Sequence, residues 1–501
     1  MKQFLETKWG QRTKVFASLL ASVAIYTLAF PPFNFFFLCL VASVPFLLVL
    51  RESTGKQAIG RGYLFGVLFY LAQMGWLLPF VNKWTGSIFL AAIPWVVASC
   101  IGGLYFLLLG WLIQRCFAGN RLWAIPFAWA GIETVRSFMP MLAFPWGLAA
   151  FPLFRFPALV QFSGFGTIVL VSAWVIAINL IVMLMVYRQN NDHKQYGRQT
   201  LWITLGVFGL MLSNLPRVMS SQAGQPFRVT LGQVGVDMAF TERNEEPRLL
   251  AEATADIVPS AVAAETDLLV LPEGFAGIQS ALPPATFLGV EPPVPVIMGG
   301  QWKEGDLFYQ SALLWDGKQW HHADKTRLVV FGEYVPFRKY LPFLKNFNLG
   351  EGDLSPAKEV TTLQTDGAKF GCMICFEGVF SDIPEKHQEN GANLLVQMSI
   401  DDWYIETPAF EQLWGSTVWR SIESGMPVVR VGALGQSLVT DARGNIVYKA
   451  PLRERRADTV EVALPDQPDG FPYRSWFGWV ALVLSIVVAL MPPKSIETQS
   501  S

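Results

Sequence analysis

The sequence of 501 residues is poor in charge, and its first 219 residues have almost no acidic side chains. Charged residues make up 15% of the chain, against roughly 25% in ordinary soluble domains, while 52% of the residues are hydrophobic. Residues 1–219 hold 4 of the 39 acids, and residues 220–470 hold 34 acids against 20 bases. The chain therefore consists of two regions of different composition, an apolar one with few acids and an acidic one. The acidic second region argues against a nucleic-acid partner, which needs a basic face.

Cysteine and histidine are also scarce, with five and four residues. Five cysteines are too few for a disulfide framework. Cys372 and Cys375 form a C-x-x-C pair, which suggests redox chemistry or half of a zinc site. A single pair supplies two of the four ligands that structural zinc requires, and only His321, His322 and His387 lie in the same region. We therefore expect no metal and no cofactor.

Long apolar runs dominate the first 219 residues, and a hydrocarbon core of roughly 30 Å requires about 20 helical residues. The first run exceeds the apolar core of a cleavable signal sequence, so it is expected to be an anchor. The run over residues 15–50 is interrupted by Pro31-Pro32 and counts as two spans. The other spans are expected at residues 62–82, 84–114, from about 122 through Glu133 and Arg136, 156–187, 199–216 and 475–493. The sequence thus predicts eight transmembrane helices.

Basic residues indicate the orientation of these spans. If the N-terminus is cytoplasmic, the short outside loops hold only Lys83, Arg136 and Arg155. The inside segments then hold thirteen bases: Lys2, Lys8, Arg12, Lys14, Arg51, Lys56, Arg61, Arg115, Arg121, Arg188, Lys194, Arg198 and Lys494. We predict a membrane domain of seven helices over residues 1–219, an extracytoplasmic domain over 220–470, an eighth helix over 471–493 and a cytoplasmic tail over 494–501.

Residues 220–470 alternate between short apolar segments and polar, helix-compatible segments, which is typical of a layered α/β domain. Strands are predicted at residues 227–236, 267–271, 294–300, 311–315, 369–376, 393–399, 427–431 and 459–463. Helices are predicted at residues 242–264, 380–390 and 410–425.

Three reactive side chains follow predicted strands or apolar runs, and strand ends are where α/β sheets place their sites. They are Glu273 in Leu-Pro-Glu-Gly, Lys325 in Asp-Lys-Thr-Arg, and Cys375 in Ile-Cys-Phe-Glu. A carboxylate, an ammonium and a thiol together can perform acyl transfer, since the carboxylate takes the thiol proton and the ammonium stabilises the oxyanion. Each residue also has a simpler interpretation: Glu273 as a solvated acid after a strand, and Cys375 as an inert core thiol.

The three segments in this order resemble the nitrilase superfamily, and the whole chain is similar to the apolipoprotein N-acyltransferase family. Further segments are similar to that family's motifs: Glu133-Thr-Val-Arg136, Phe144-Pro-Trp-Gly147, Gln161, Asn179, Phe331-Gly-Glu-Tyr-Val-Pro-Phe337 and Cys375-Phe-Glu377. The similarity weakens after residue 400, where Ile400 replaces the usual Asn and residues 431–435 lack the usual Asn residues. A divergent paralogue is one interpretation of these departures.

The resemblance implies a multi-span helical membrane domain and an extracytoplasmic nitrilase-like αββα sandwich. It implies that Cys375 is the nucleophile, Glu273 the general base and acid, and Lys325 the oxyanion partner, helped by the backbone N–H of Phe376. The implied acyl donor is a phospholipid, typically phosphatidylethanolamine. The implied acceptor is the free α-amine of S-diacylglyceryl-cysteine on an apolipoprotein. The expected location is the bacterial inner membrane, with the catalytic domain on the periplasmic side, and the expected state is a monomer.

Residues around the triad are assigned supporting roles on the same basis. Glu333 and Glu377 are candidates to orient Lys325, and side-chain alternation along a strand would place Glu377 on the same face as Cys375. Substrate contacts are predicted for four further residues: Trp146, Trp403, Tyr404 and Arg430. The aromatic residues among them equally suit an interfacial belt with no substrate role.

Two other functions remain open from the sequence. A membrane-tethered amidohydrolase would use the same triad with water as the acceptor. A transporter-like or scaffold protein would carry a catalytically inactive domain, although all three triad residue types are present in order.

Overall fold

The computed structural model describes residues 8–139, 142–186, 192–220, 224–242, 244–280, 292–338, 340 and 353–492. The chain divides into two compact units. The helical unit comprises residues 1–216, 407–411 and 475–501, and the sheet unit comprises residues 217–406 and 412–474. The predicted cytoplasmic tail lies outside the described residues.

The helical unit is built mainly from apolar helices. Its helices are α1 (Lys8–Ala29), α2 (Val44–Arg51), α3 (Gly55–Gln73), α4 (Leu77–Thr85), α5 (Ile88–Ala118), α6 (Ile125–Phe138), α7 (Thr167–Val186), α8 (Asp192–Leu212), α9 (Leu215–Met219, whose last three residues fall in the sheet unit) and α13 (Trp476–Leu490). Within the described ranges, four helical segments are long and apolar enough to cross a bilayer: Trp9–Ala29, Ile88–Ala118, Thr167–Val186 and Gly197–Met219. The pair α3 and α4 makes a fifth if it is counted as one span. Two shorter apolar helical segments are Phe36–Arg51 and Trp476–Leu490.

Two of the predicted runs are interrupted. α1 ends just before Pro31-Pro32, whose rings remove the backbone donors that a continuing helix would need. The run predicted at residues 62–82 is divided between α3 and α4, which meet at an angle of 60°.

A buried ion pair joins α6 to the segment that follows it. Arg136 Nη2 lies 3.4 Å from Glu133 Oε1, and both side chains are buried. Arg136 also donates to the carbonyl of Gly147 at 2.9 Å, and Glu133 accepts the backbone N–H of Ala149 at 2.8 Å. Because an unpaired charge in an apolar interior is costly, these contacts hold the Phe-Pro-Trp-Gly segment against the helix.

The sheet unit contains two sheets. Its strands are β1 (Gln225–Gln233), β2 (Leu268–Val270), β3 (Ile278–Gln279), β4 (Val296–Glu304), β5 (Leu307–Trp315), β6 (Trp320–Asp324), β7 (Thr362–Thr365), β8 (Ala368–Ile374), β9 (Leu394–Ser399), β10 (Val428–Gly432), β11 (Leu438–Thr440), β12 (Ile446–Lys449) and β13 (Arg456–Leu464). One sheet has the order β13-β1-β2-β4-β5-β6, with β3 beside β4, and the other has the order β12-β11-β10-β9-β8-β7. The central strands β1, β2 and β4 are parallel, as are β8, β9 and β10.

The two sheets face each other across one apolar core. Alternate residues of both sheets form this core, including Val229, Ile297, Ile374 and Val396. Helix α10 (Glu246–Ala263) packs on the outer face of the first sheet. Helices α11 (Asp382–Glu389) and α12 (Pro408–Ser424) contact outward residues of the second sheet. The layer order is therefore helix, sheet, sheet, helix.

The strand predictions were wrong in two respects. Within the described residues, five strands were missed, and three of these (β6, β7 and β12) are edge strands. In β6 and β7, polar residues hide the apolar pattern. The strand predicted at residues 369–376 ends at Ile374, because the chain turns into a 3-10 helix at Cys375–Val379.

Candidate active site

The three predicted catalytic residues each follow a strand of the sheet unit and come together in one buried site. Glu273 comes three residues after β2, Lys325 directly after β6 and Cys375 directly after β8. The carboxylate of Glu273 and the thiol of Cys375 each act on the pKa of the other. The charge of Lys325 acts on both of these groups. A carboxylate, a thiol and an ammonium group are thus within interaction distance of one another, which is a combination that can perform acyl transfer.

The nucleophile candidate lies on a strained turn. Cys375 has a φ of +53°, a left-handed conformation that costs a residue other than glycine on the order of 1–3 kcal/mol. Strand β8 cannot continue through this conformation, so the side chain is presented at the end of the strand. By contrast, Cys372 lies within β8 and is buried in the core between the sheets. Of the C-x-x-C pair, Cys372 thus lies in the core, and Cys375 lies in the candidate active site.

The position of Glu377 differs from the one that strand alternation predicted. Strand alternation does not apply to it, since it lies in the 3-10 helix and not in β8. Its Oε1 accepts the backbone N–H groups of Thr326 at 2.8 Å and of Arg327 at 3.0 Å, and its Oε2 accepts that of Ile374 at 3.0 Å. Glu377 therefore joins the segment after Lys325 to the strand end before Cys375.

Glu273 is held by two donors and by close backbone packing. Gln310 Nε2 donates to its Oε1 at 3.0 Å, and the N–H of Ile400 donates to its Oε2 at 2.9 Å. Gly299 lies so close that an added Cβ would be 2.4 Å from the Cα of Glu273. Burial raises the pKa of Glu273 to about 6, although Lys325 acts to lower it. At neutral pH this carboxyl is therefore mostly ionised and able to accept a proton.

Lys325 is buried and paired. Its Nζ lies 2.6 Å from Glu333 Oε1, and Glu333 Oε2 accepts the N–H of Val329 at 2.8 Å. Burial opposes the charge on Lys325, but Glu333, Cys375 and Glu273 together raise its pKa. Lys325 therefore keeps its positive charge in the site, where it can stabilise a developing oxyanion.

The thiol of Cys375 needs a base. Its burial and the neighbouring Glu273 carboxylate raise its pKa well above the ordinary value, and Lys325 only partly offsets this. The resting thiol is therefore protonated at neutral pH. Because the thiolate is the reactive form, a nucleophilic role of Cys375 would require a base, and the neighbouring carboxylate of Glu273 can accept a proton.

Of the remaining predicted residues of the sheet unit, Tyr404 lies near the thiol of Cys375. Trp403 packs edge-on against Phe240, with ring centroids 5.4 Å apart. The pKa of the Tyr404 phenol is raised, mainly by burial and next by the charge that a thiolate at Cys375 would carry. Tyr404 therefore lies close to Cys375. Arg430 is fully buried and paired with Asp401.

Two predicted residues have other surroundings. Phe376 directly follows the nucleophile, and its ring packs against Phe380 at 5.9 Å. Trp146 lies in the helical unit, where its Nε1 donates to the carbonyl of Gln73 at 3.3 Å. It is buried and packs against Trp76 and Phe144.

Sequence reasoning missed two glutamines of the site. Gln310 holds Glu273, and Gln397 Nε2 donates to the carbonyl of Cys375 at 3.1 Å. Both are buried, and Gln397 interrupts the apolar run Leu-Leu-Val-Gln-Met of β9. An amide in the middle of a buried strand must find hydrogen-bond partners. The position of Gln397 within an apolar run was therefore the feature of the sequence that could have indicated its role. Within the described parts of the chain, no group of three or more His, Cys, Asp or Glu side chains is placed to hold a metal ion.

Comparisons with known proteins identify both parts of the chain. Residues 22–181 match the apolipoprotein N-acyltransferase N-terminal domain, and residues 292–466 match the carbon-nitrogen hydrolase domain. The apolipoprotein N-acyltransferase of Geobacter metallireducens is 27% identical, with 95% of each chain covered. That of Pseudomonas syringae pv. tomato is 25% identical, with 94% of each chain covered.

A solved structure, that of Saccharomyces cerevisiae Nit3, a member of branch 10 of the nitrilase superfamily, is 21% identical. The match covers 49% of this chain and 92% of that one, with a TM-score of 0.38. Family models match both parts of the chain, and relatives of one name match it from end to end. The chain is therefore similar to apolipoprotein N-acyltransferases over about 95% of its length.

Proposed function

We propose that this protein transfers a fatty acyl chain from a membrane phospholipid to the α-amine of S-diacylglyceryl-cysteine on apolipoproteins. The observation that carries this proposal is the interaction of the Cys375 thiol with the Glu273 carboxylate beside the buried, charged Lys325, which Glu333 holds. The similarity to apolipoprotein N-acyltransferases supports these substrates. Phosphatidylethanolamine is the proposed donor. The protein is proposed to act as a monomer, since one chain supplies all three groups.

In the first half-reaction, Glu273 takes the thiol proton as Cys375 Sγ bonds to the ester carbonyl carbon of the phospholipid. Lys325 and the N–H of Phe376 stabilise the oxyanion that forms. The ester C–O bond then breaks, and Glu273 returns the proton to the departing alkoxide. The products are a lysophospholipid and a thioester on Cys375. A pKa of about 6 suits Glu273 to both roles, because it can accept and release a proton near neutral pH.

In the second half-reaction, the acceptor amine attacks the thioester carbonyl and the C–S bond breaks. Glu273 takes a proton from the amine and returns one to the sulfur, so that an amide and the free thiol result. Because the lysophospholipid leaves before the acceptor amine attacks the thioester, the kinetics are expected to be ping-pong. Trp146, Trp403, Tyr404 and Arg430 remain proposed substrate contacts, with Glu333 and Glu377 supporting Lys325.

The proposed topology has eight spans, a cytoplasmic N-terminus and a periplasmic catalytic domain in the bacterial inner membrane. Contacts within the helical unit support it. Arg115 Nε donates to the carbonyl of Ala489 at 2.7 Å, and Gln199 Nε2 donates to that of Asn120 at 2.9 Å. The connection after α5, the beginning of α8 and the end of α13 therefore lie together, and the eight-span topology assigns all three to the cytoplasmic side. The divisions at residues 216/217 and 474/475 support the proposal of domain boundaries near 219 and 470.

The test is intact mass spectrometry of the purified protein with phosphatidylethanolamine and no acceptor. We expect an acyl adduct on Cys375 with little free fatty acid. A diacylglyceryl-cysteine peptide with a free amine should discharge the adduct, and the same peptide with an acetylated amine should not. Steady release of fatty acid without peptide would instead identify water as the acceptor and the protein as an amidohydrolase-type enzyme.

A second arm of the test examines the oxyanion partner. Lys325→Ala should slow both acylation and discharge, because each passes through a tetrahedral oxyanion. Lys318→Ala is the matched control, since Lys318 pairs with Asp366 on the protein surface and both side chains are exposed. A Lys325→Ala protein that acylates at the rate of the Lys318→Ala protein would remove Lys325 from the mechanism.

A further inference from the structure

A buried glutamine lies directly behind the nucleophile. Gln397 is in the middle of β9, the parallel neighbour of β8, and is 1% exposed. Its Nε2 donates to the carbonyl oxygen of Cys375 at 3.1 Å. This oxygen belongs to the left-handed residue at which β8 ends, so the regular strand pairing does not extend to it. The side chain of Gln397 therefore links β9 to the turn that carries the thiol, beyond the last backbone pair of β8 and β9.

The surroundings of Gln397 determine which end of its amide faces Cys375. Thr417 Oγ1, on α12 and fully buried, donates to Gln397 Oε1 at 3.0 Å. A carbonyl oxygen can only accept, so the NH₂ group must face Cys375 and the amide oxygen must face the hydroxyl. Gly378 leaves room for this arrangement, because a Cβ there would lie 2.3 Å from Gln397 Nε2. Two elements of the domain thus hold one amide in one orientation.

The hydrogen bond to Cys375 also orients the next N–H group. In a trans peptide the C=O of one residue and the N–H of the following residue lie in one plane and point in opposite directions. By holding the oxygen of Cys375, Gln397 fixes the plane of the Cys375–Phe376 peptide. The direction of the Phe376 N–H follows from that plane. Rotation of this peptide would turn the Phe376 N–H away from any group that it serves.

We infer that Gln397, held by Thr417, is a positioning residue that aims the Phe376 N–H at the oxyanion formed during thioester formation. The inference rests on the proposed function, in which this N–H and Lys325 stabilise the oxyanion. Gln397 does not touch the substrate. Its effect is therefore expected on steps that pass through an oxyanion and not on the nucleophilicity of the thiol itself.

The experiment compares two reactions of the same sulfur in Gln397→Met, which keeps the length of the side chain and removes the donor. Thioester formation from phosphatidylethanolamine passes through an oxyanion. Alkylation by iodoacetamide, read on the Cys375 peptide, does not, because sulfur displaces iodide directly. We expect acylation to slow by about 10- to 100-fold, less than the roughly 10²- to 10³-fold loss on deleting an oxyanion donor. The alkylation rate should stay within about threefold of the wild type.

Thr417 supplies the second pair of variants. Thr417→Val leaves the amide oxygen of Gln397 without its donor and should also slow acylation selectively, whereas Thr417→Ser keeps the hydroxyl and should restore the rate. Equal loss of acylation and alkylation in Gln397→Met and Thr417→Val would indicate general disruption of the turn and overturn the inference. So would an unchanged acylation rate in both. A wild-type protein that forms no thioester would instead refute the proposed function itself.

Discussion

The rate of the acylation step should fall at acidic pH, with a midpoint near pH 6 that is set by the pKa of Glu273. Its carboxyl is buried, and burial raises its pKa to about 6, above the ordinary range for a glutamic acid. The thiol of Cys375 has a pKa well above its ordinary value, so it stays protonated over the whole range below neutrality. Only the ionised form of Glu273 can take the thiol proton. The acylation rate should therefore fall as the pH drops through the pKa of Glu273.

The size of the effect follows from the pKa. With a pKa of about 6, the ionised fraction is about 0.9 at pH 7 and about 0.1 at pH 5, so the rate should fall roughly tenfold between them. Glu273→Gln should lower the rate at pH 7 by about 10²- to 10⁴-fold and abolish the fall at acidic pH, since an amide does not titrate in this range. Gln310→Leu removes a donor to the carboxylate and favours its neutral form, so it should move the midpoint to higher pH.

The measurement is the initial rate of adduct formation on Cys375, followed by intact mass from pH 5 to 8 in the presence of phospholipid. Samples returned from pH 5 to pH 7 should recover their full rate, which separates titration from unfolding. A wild-type profile that is flat from pH 5 to 7 would exclude Glu273 as the group that takes the thiol proton. A fall at acidic pH that persists in Glu273→Gln would do the same, because it would belong to another group.

Three other expectations concern separate parts of the chain. Cys375→Ala should abolish adduct formation and Cys372→Ala should leave it nearly unchanged, since Cys372 lies in the core between the sheets; equal losses in an activity assay would revive the redox interpretation. Gly299→Ala should slow acylation at least tenfold by displacing Glu273, whereas Gly206→Ala, where an added Cβ meets nothing within 4 Å, should match the wild type. A reporter fused after Lys194 should be cytoplasmic and one inserted near Gln222 extracytoplasmic; detection of both on one side would contradict the eight-span topology.

The sequence alone predicted the two regions of different composition and the order of the three candidate catalytic residues. Uneven charge and long apolar runs are properties of composition, and each candidate follows a strand, as the apolar runs before Glu273 and Cys375 indicated. Buried strands could be recognised because their residues are apolar on both faces. Edge strands such as β6 and β7 could not, because their exposed polar positions break the pattern.

Only the tertiary structure decided how the candidate site is held together. The turn at Cys375 replaces the end of a predicted strand, so the position of Glu377 could not follow from alternation. Glu273 is held by Gln310 and Ile400, residues 37 and 127 positions away along the chain. Such contacts depend on which strands become neighbours, and strand neighbours are chosen by the packing of the whole core rather than by local sequence.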